Sequence, residues 1–207
     1  KIVRDKEGLI KVDGKIRRDP RFPLGQMDVV TIEKTNEHFR ILHDIKGRFV
    51  PHRIDAKEAA FKLCKVVQKK IGKAKVPHIV THDGRTIRFP HPDIQINDSV
   101  KYSFAAGEIT GVIKFQAGAS VMLTGGNNIG RIGILQSIDK HPGSFTIVNI
   151  KDASGHVFST RLSNIMIIGD GKSNEISLPK GEGIRQTLIE QRNAKFGAEE
   201  EEEDSDE

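Results

Sequence analysis

Turn-forming glycine dipeptides recur along most of this chain, and the short apolar segments between them leave little room for long helices. Asp13-Gly14 is a clear case, because a type I′ hairpin turn needs positive φ at both central positions. Short strands at such close spacing predict a mainly β chain of barrels or meanders, with minor α content. The further turn signals are Lys46-Gly47, Asp83-Gly84, Ala106-Gly107, Gly125-Gly126, His141-Pro-Gly143 and Ser154-Gly155.

Strand candidates lie on both sides of these turns, at residues 9–32, 38–54, 76–82, 85–89, 108–115 and 121–168. One or two helical turns are predicted after Asp55, because Glu58 stands three positions into a capping pattern. Residues 184–196 are amphipathic, with Ile184, Leu188 and Ile189 on one side, and this periodicity predicts a final helix.

The charge distribution favours a polyanionic partner. The 207 residues include 33 Lys and Arg against 28 Asp and Glu, a formal net charge of +5. Eight of the acidic groups lie in residues 199–207, so residues 1–198 carry a net charge of +13. Lys and Arg gain free energy by displacing counterions from phosphates, which predicts nucleic acid as the partner. The acidic tail, 199–207, is predicted to be disordered because it cannot bury apolar surface.

Cations concentrate in the first hairpin and in the middle of the chain. In the hairpin they can meet phosphates, or alternatively form a solvated, charged sheet edge that prevents aggregation. The chain has one Tyr, and its ten Phe are expected to lie in the core, so few aromatic side chains are left to stack bases and recognition of RNA shape and backbone is expected. The residues predicted to bind RNA are Lys11, Lys15, Arg17, Arg18, Arg21, Lys46, Arg48, Arg53, Lys65, Lys69, Lys70, Lys73, Lys75, His78, Arg85, Arg88, Arg131, Lys140, His141, Arg161, Lys172, Lys180 and Arg185.

Enzymatic, metal and membrane classes find little support in the sequence. Cys64 is the only cysteine, so a disulfide within the chain and a thiolate zinc cluster are both excluded. The segment 169–173 ends like a phosphate-binding loop, but Met166 stands where that loop requires glycine. His82 and Asp83 would converge only at a turn, since neighbouring strand residues point to opposite faces. We expect no cofactor, metal or small-molecule substrate, no membrane span and no signal segment.

Two segments resemble known RNA-binding units. VDGKIRRD (12–19) followed by PLGQMDVVTI (23–32) resembles the C-terminal half of the S4-type module, which presents basic residues to structured RNA. Its preceding helical half is missing or only partly present in residues 1–8, which suggests that the chain lacks its true N-terminus. VMLTGGNNIGRIGILQSI (121–138) resembles the KOW motif of SH3-like barrels, through Gly125, Gly126, Gly130 and Gly133. A structural turn in any barrel is the alternative for these glycines.

Taken in order along the chain, DIKGRFVPHRI, KLCKV, VPHIVTHDGRTIRFPHP, TGGNNIGRIG, HPGSF and TRLSNI resemble the S4e family of small-subunit ribosomal proteins. The resemblance implies an S4-type module at 1–34, a central β domain at 35–116, a KOW-containing SH3-like domain at 117–168 and a C-terminal extension at 169–198. The acidic tail departs from the family pattern.

The resemblance also implies a function. A member of this family would be a non-enzymatic constituent of the small ribosomal subunit that binds ribosomal RNA and contacts neighbouring ribosomal proteins. It would act in cytoplasmic ribosomes after passing through the nucleolus during assembly. The alternatives are a KOW-domain transcription or translation factor and an accessory module of an RNA-modifying enzyme such as a pseudouridine synthase.

Overall fold

The chain folds into three antiparallel sheets of five strands each, arranged in chain order in a computed structural model. The structure describes residues 8–179, 181, 183–190, 192–193 and 196. The prediction of a mainly β chain with minor helix is confirmed.

The first sheet contains the cationic hairpin. Its strands are β1 (Ile10–Val12), β2 (Lys15–Ile16), β3 (Val29–Ile32), β4 (Glu37–His43) and β5 (Phe49–Ile54), in the order β2-β1-β3-β4-β5. Asp13 and Gly14 have φ values of 50° and 77°, as a type I′ turn requires. β3 pairs with β4 from Val29↔Arg40 to Ile32↔Glu37, so this sheet continues across the predicted boundary at residues 34/35. The predicted domain boundaries remain a prediction.

The second sheet is built around one long strand, β6 (Phe61–Ile71). The other strands are β7 (Pro77–Thr81), β8 (Thr86–Arg88), β9 (Ser99–Ser103) and β10 (Ile109–Ile113), in the order β10-β9-β6-β7-β8. Where one or two helical turns were expected, a single 3-10 turn forms at Glu58–Ala60. The chain is extended from Phe61 onward because β6 pairs with β9 in its first half and with β7 in its second.

The third sheet contains the glycine-rich segment and ends in a wholly buried strand. Its strands are β11 (Ser120–Leu123), β12 (Ile132–Asp139), β13 (Ile147–Lys151), β14 (Val157–Arg161) and β15 (Ile165–Gly169), in the order β14-β13-β12-β11-β15. Its apolar core also takes in Leu42 of β4, Leu63 of β6 and Met27 from the turn before β3. The core of the third sheet therefore reaches into the first two, while Cys64, Val66, Ile79, Ile94 and Val100 form a separate core cluster at the second sheet.

The C-terminal segment returns over the sheets. Gly169 forms a bridge with Asn174, which places the predicted turn after β15. Residues 188–190, 192–193 and 196 are helical and lie within the predicted final helix. Thr187 and Glu190 form a capping box, in which each backbone N–H donates to the other residue's side chain. Within the described residues no helix is long and apolar enough to cross a bilayer, and the predicted acidic tail lies outside them.

Candidate nucleic-acid interface

The first hairpin presents most of its cations outward. Lys15, Arg18 and Arg21 are exposed, and they follow directly from the tight turn at Asp13-Gly14. Arg17 is half-buried, with its guanidinium carbon 4.3 Å from the centroid of the Phe22 ring. Lys11 forms an ion pair with Glu33. Lys15, Arg18 and Arg21 are therefore accessible to solvent, and their contact with RNA stays a prediction.

Lys62 ties this hairpin to the second sheet. Its Nζ lies 3.1 Å from Asp13 Oδ2, 2.5 Å from Asp28 Oδ1 and 3.1 Å from Asp83 Oδ2. The Lys62 side chain is only 1% exposed. Burial alone would lower its pKa, but the charges of Asp13 and Asp83 and the hydrogen bond to Asp28 outweigh burial and raise it. Three carboxylates and one ammonium thus form a buried joint between two sheets.

Arg85 belongs to the same joint, although its side chain is 27% exposed, and its contact with RNA stays a prediction. Its guanidinium lies 3.4 Å from Asp13 Oδ2 and 3.3 Å from Asp83 Oδ2, and 4.3 Å from the centroid of the Tyr102 ring. The sequence predicted Asp13 only as a turn residue, and Asp83 as a turn residue beside His82. Two Asp-Gly turns of similar sequence were the available signal, but nothing in their spacing showed that they meet around one lysine.

The structure contradicts the prediction that Lys65 contacts RNA, because its ammonium faces the interior. Its Nζ donates to the carbonyl oxygens of Leu162 (3.0 Å), Ser163 (3.3 Å) and Ile165 (2.7 Å). Burial lowers the pKa of Lys65 to about 8. Alternation along β6 cannot expose this side chain, since the strand is covered on both faces over its first half. Lys65 therefore joins the second sheet to the third and is not available to a phosphate.

Arg131 also has its partners within the protein. It forms an ion pair with Asp152, donates from Nη1 to Asn128 Oδ1 over 3.2 Å and stacks 3.8 Å from the centroid of Phe158. Its side chain is 12% exposed. The prediction that Arg131 contacts RNA is therefore corrected to a role in holding the glycine-rich turn.

The second half of β6 and the following turn carry exposed lysines. We call Lys70, Lys73 and Lys75 the lysine ridge; within the described part of the chain none of the three forms an ion pair. Lys69 lies beside them but donates to the carbonyl oxygens of Pro92 and Ile94, at 2.7 and 2.8 Å. Because the ridge stands at the far end of β6 from the buried joint, its charges remain exposed to solvent.

The other predicted cations are distributed over all three sheets. Arg48 lies 3.4 Å from Asp44, and Arg53 lies 3.6 Å from Glu37, both as exposed pairs. His78 is half-buried. Lys180 lies outside the described residues. The remaining exposed members of the predicted set are Lys46, Arg88, Lys140, His141, Arg161, Lys172 and Arg185.

The glycine-rich segment packs inward. A Cβ on Gly130, whose φ is +79°, would lie 2.1 Å from the backbone oxygen of Asp44 in the turn after β4. A Cβ on Gly133 would lie 2.5 Å from the backbone oxygen of Lys151. These glycines permit close approach between backbones, as the sequence predicted. The approach is to other parts of this protein, so the turn docks the third sheet on the first.

Cys64, His82 and Asp83 do converge, at the turn between β7 and β8. Their ligand atoms lie within 4.8 Å of one another. Burial and the nearby Asp83 charge raise the pKa of the Cys64 thiol to about 12, which disfavours the thiolate that binds metals. His82 Nδ1 accepts from the Lys65 amide over 3.2 Å, and its Nε2 lies 3.3 Å from the Gln26 carbonyl oxygen. The cluster's donors and acceptors are thus engaged with protein partners.

Two family models match the sequence. The model described as "Ribosomal family S4e" matches residues 35–109, and the model described as "40S ribosomal protein S4 C-terminus" matches residues 152–199. Together they cover the second sheet except most of β10, part of the first sheet, and the end of the third sheet with the C-terminal segment.

Similar proteins support the same grouping. The small ribosomal subunit proteins eS4 of Spodoptera frugiperda and Bombyx mori are each 55% identical over 193 residues, which is 93% of this chain and 73% of theirs. That of Carabus granulatus is 51% identical over 190 residues, 92% of this chain and 73% of its own. The crystal structure of the 30S ribosomal protein S4e from Thermoplasma acidophilum superposes with a TM-score of 0.71 at 30% identity, over 84% of this chain and 86% of that one.

Proposed function

Because the chain belongs to the S4e family of ribosomal proteins, we propose that it is a structural constituent of the small ribosomal subunit that binds ribosomal RNA. It supports packing of the RNA during assembly and in the finished subunit, with no reaction catalysed. It acts in cytoplasmic ribosomes, beside other ribosomal proteins, and passes through the nucleolus during assembly.

The main observation behind this proposal is that acidic side chains turn inward and basic side chains turn outward at the buried joint around Lys62. The carboxylates of Asp13, Asp28 and Asp83 are only 13–15% exposed, and they face Lys62 instead of solvent. Lys15 and Arg18 on the same hairpin remain exposed. Turning acids inward while cations face outward raises the positive potential of the surface, which attracts phosphates.

Phosphate neutralisation and shape are the proposed means of recognition. Exposed arginines such as Arg18 and Arg88 can hold a phosphate through two parallel N–H donors, whereas the lysine ridge supplies point charges. The shared core and the buried joint fix the distances between these cations. A surface of fixed cation spacing matches a folded RNA better than a flexible single strand.

The salt dependence of binding tests the electrostatic part. If roughly six phosphates are neutralised, log affinity falls against log salt with a slope of about −4 to −5, at about 0.7–0.9 per contact. Purified chain and transcribed small-subunit ribosomal RNA suffice for this titration. A slope near zero would contradict electrostatic binding.

Sedimentation tests the ribosomal part. In a sucrose gradient of cell extract, the protein is expected to migrate with small subunits and to remain there in moderate salt. Release into the light fractions at moderate salt would instead support a transient KOW-domain factor or a module of an RNA-modifying enzyme.

A further inference from the structure

The second sheet leaves an opening between its two end strands. β8 and β10 stand at opposite ends of the order β10-β9-β6-β7-β8, and within the described residues neither pairs with a second strand. Both nevertheless line one cavity of about 760 Å³, to which all of β8 and residues 109–112 of β10 contribute. The sheet therefore curls until its two ends approach each other, without closing.

The direction of the strands limits what can close this sheet. Each neighbouring pair in it is antiparallel. Because there are five strands, β8 and β10 run in the same direction and could join each other only as a parallel pair. A sixth strand between them, opposite in direction to both, would complete an all-antiparallel barrel and remove both edges.

The backbone of β8 offers hydrogen-bonding groups to such a strand. The Phe89 amide donates to the Pro77 carbonyl oxygen over 2.9 Å, which fixes the phase of the ladder between β7 and β8. Hydrogen-bonded and non-hydrogen-bonded pairs alternate along an antiparallel ladder. The backbone N–H and C=O groups of Thr86 and Arg88 therefore point away from β7, on the side of β8 that has no neighbouring strand.

The same alternation applies to β10. The Phe104 amide donates to the Ala60 carbonyl oxygen over 3.1 Å, so every second residue of β9, including Val100, directs its backbone groups to β6. Val112 stands opposite Val100 in the ladder between β9 and β10. The backbone groups of Val112 therefore point away from β9, and each end strand presents donors and acceptors for one more strand.

The side chains around the opening suit a peptide better than RNA. Ile87 and Ile109 pack against the core cluster of the second sheet. Phe89, with a φ of 51° that is uncommon for a bulky residue, is 70% exposed at the end of β8. Arg88 and Glu108 are exposed charges of opposite sign among the lining residues. A peptide can carry apolar side chains and both charges, whereas phosphates are repelled by Glu108.

We propose that this opening receives an extended segment of a neighbouring ribosomal protein, which pairs with β8 and β10 as a sixth strand. This rests on the proposed function, in which other ribosomal proteins lie beside this chain. A residue in a sheet occupies roughly 160 Å³, so the opening has room for about five residues. Alternate residues of the segment are apolar and face Ile87 and Ile109, and a residue between them carries a carboxylate for Arg88.

Photocrosslinking in intact small subunits identifies the occupant. The full chain is expressed in cells with Val112→p-benzoylphenylalanine, and the purified subunits are irradiated and analysed by mass spectrometry. We expect adducts with one short segment of another ribosomal protein, and with the same segment from Phe89→p-benzoylphenylalanine. Adducts with nucleotides would assign the opening, and Arg88 with it, to RNA and overturn the proposal. Adducts with this chain or a second copy of it, or no adduct, would also overturn it.

A synthetic peptide of the crosslinked segment then tests strand pairing in the isolated full chain. The peptide is expected to slow hydrogen exchange at the amides of Thr86, Arg88 and Val112, because each donates to the backbone of the added strand. Binding without slower exchange at these amides would overturn the pairing.

Val112→Pro removes one of these donors from an edge strand without breaking the ladder with β9. Losing one backbone hydrogen bond is expected to weaken peptide binding about 2- to 12-fold. Val157→Pro is the matched control, since Val157 is an exposed valine of β14, an end strand of the third sheet. Its backbone groups also point away from the neighbouring strand, because the pair before it, Asp152 and His156, is hydrogen-bonded. The control is expected to bind the peptide as wild type does.

The outcomes separate the sixth strand from the function on which it rests. Equal peptide affinities for wild type, Val112→Pro and Val157→Pro would overturn the strand alone. Thermal unfolding shows whether both variants fold, and if Val112→Pro does not, hydrogen exchange of the wild-type chain decides. Absence of the wild-type chain from small subunits would overturn the proposed function itself.

Discussion

Two buried lysines of β6 show that the surroundings of a cation decide its role. Lys62 and Lys65 are three positions apart in one strand, and both are nearly inaccessible. Lys62 faces three carboxylates, whose charges raise its pKa despite burial. Lys65 faces three backbone carbonyls, and burial lowers its pKa. One lysine joins the first sheet to the second, and the other joins the second to the third.

Replacing Lys62 is expected to destabilise the fold strongly. Lys62→Met removes the shared partner of Asp13, Asp28 and Asp83, and breaking a buried ion pair in this way costs about 3–5 kcal/mol. Chemical denaturation measures the change in the free energy of unfolding. Lys70→Met, an exposed site on the same strand, is the control and is expected to stay within about 0.5 kcal/mol of wild type. Equal effects of the two variants would contradict a structural role for the joint.

Acid is expected to weaken the same joint through Asp83. Burial disfavours its ionised form, but a hydrogen bond from Thr81 and the charge of Lys62 outweigh burial and hold its pKa below the ordinary 3.8. As the pH falls below 3.8, the unfolded chain therefore binds a proton at this site before the folded chain does. The free energy of unfolding decreases over that range, and urea titrations at stepwise lower pH measure it.

Asp83→Asn is expected to flatten this acid dependence, since the amide does not titrate. Asp93→Asn serves as the control, because the Asp93 side chain is 76% exposed. If the two variants keep the same dependence on pH as wild type, Asp83 is not a source of the acid sensitivity.

Gly130 is expected to tolerate no side chain. In Gly130→Ala, the positive φ lowers the free energy of unfolding by about 1–2 kcal/mol. Displacing Asp44, whose backbone oxygen would lie 2.1 Å from the new Cβ, lowers it by about 1–3 kcal/mol more. At Gly143, φ is a similar +77°, but a Cβ would meet no atom within 4 Å, so Gly143→Ala is expected to lose only the stability that the positive φ costs. Thermal unfolding of the two variants measures the difference. Equal losses would mean that the turn does not pack on the first sheet.

At the scale of elements, the turn residues predicted more of the fold than the helix-capping pattern did. Asp13-Gly14 and Lys46-Gly47 lie at observed hairpins, because positive φ restricts those positions locally. The capping pattern at Asp55–Glu58 was equally local, yet tertiary pairing of β6 extended the chain directly after it. Local signals predict turns well and predict poorly where a neighbouring strand decides the conformation.

The sequence predicted that the candidate interface is rich in cations, but it did not predict which cations are exposed. Exposed members such as Lys15 and Lys73 were predicted by charge alone. Lys65 and Arg131 look the same in sequence, but their partners are carbonyls and a carboxylate that are distant along the chain. No periodicity along β6, or beside β12 where Arg131 lies, reveals those partners, because they belong to other strands and turns.

The C-terminal segment is expected to depend on Glu58. Its carboxylate accepts from the Ser177 amide (3.1 Å) and hydroxyl (2.8 Å) and lies 3.4 Å from Nε of Arg40, which is 0% exposed. Glu58→Gln removes the negative charge beside a buried guanidinium, at an expected cost of about 3 kcal/mol. Glu108→Gln, at an exposed turn, is the control.

Hydrogen exchange distinguishes how that cost arises. In Glu58→Gln the Ser177 amide is expected to exchange faster than in wild type, since its acceptor is weakened. If the Ser177 amide keeps its protection while the free energy of unfolding falls, the loss comes from Arg40 alone. The C-terminal segment would then not depend on Glu58.

At the scale of the whole molecule, the three sheets act as one support for separate cationic surfaces. The shared core, the Lys62 joint and the Lys65 joint hold the hairpin and the lysine ridge at fixed positions. Cations held in this way can contact one folded RNA together without the entropy cost of ordering flexible linkers.

Combining charge removals tests whether both surfaces contact the same RNA. Lys15, Arg17 and Arg18 replaced together by Ala are expected to reduce the magnitude of the salt slope by about 2–3, and so is the triple replacement of the lysine ridge. If both surfaces bind at once, the six-residue variant loses the sum of the two reductions. If they bind alternatively, the combined reduction is no larger than one of them. Lys34→Ala and Lys57→Ala, at exposed turns outside the predicted set, are expected to leave the slope unchanged.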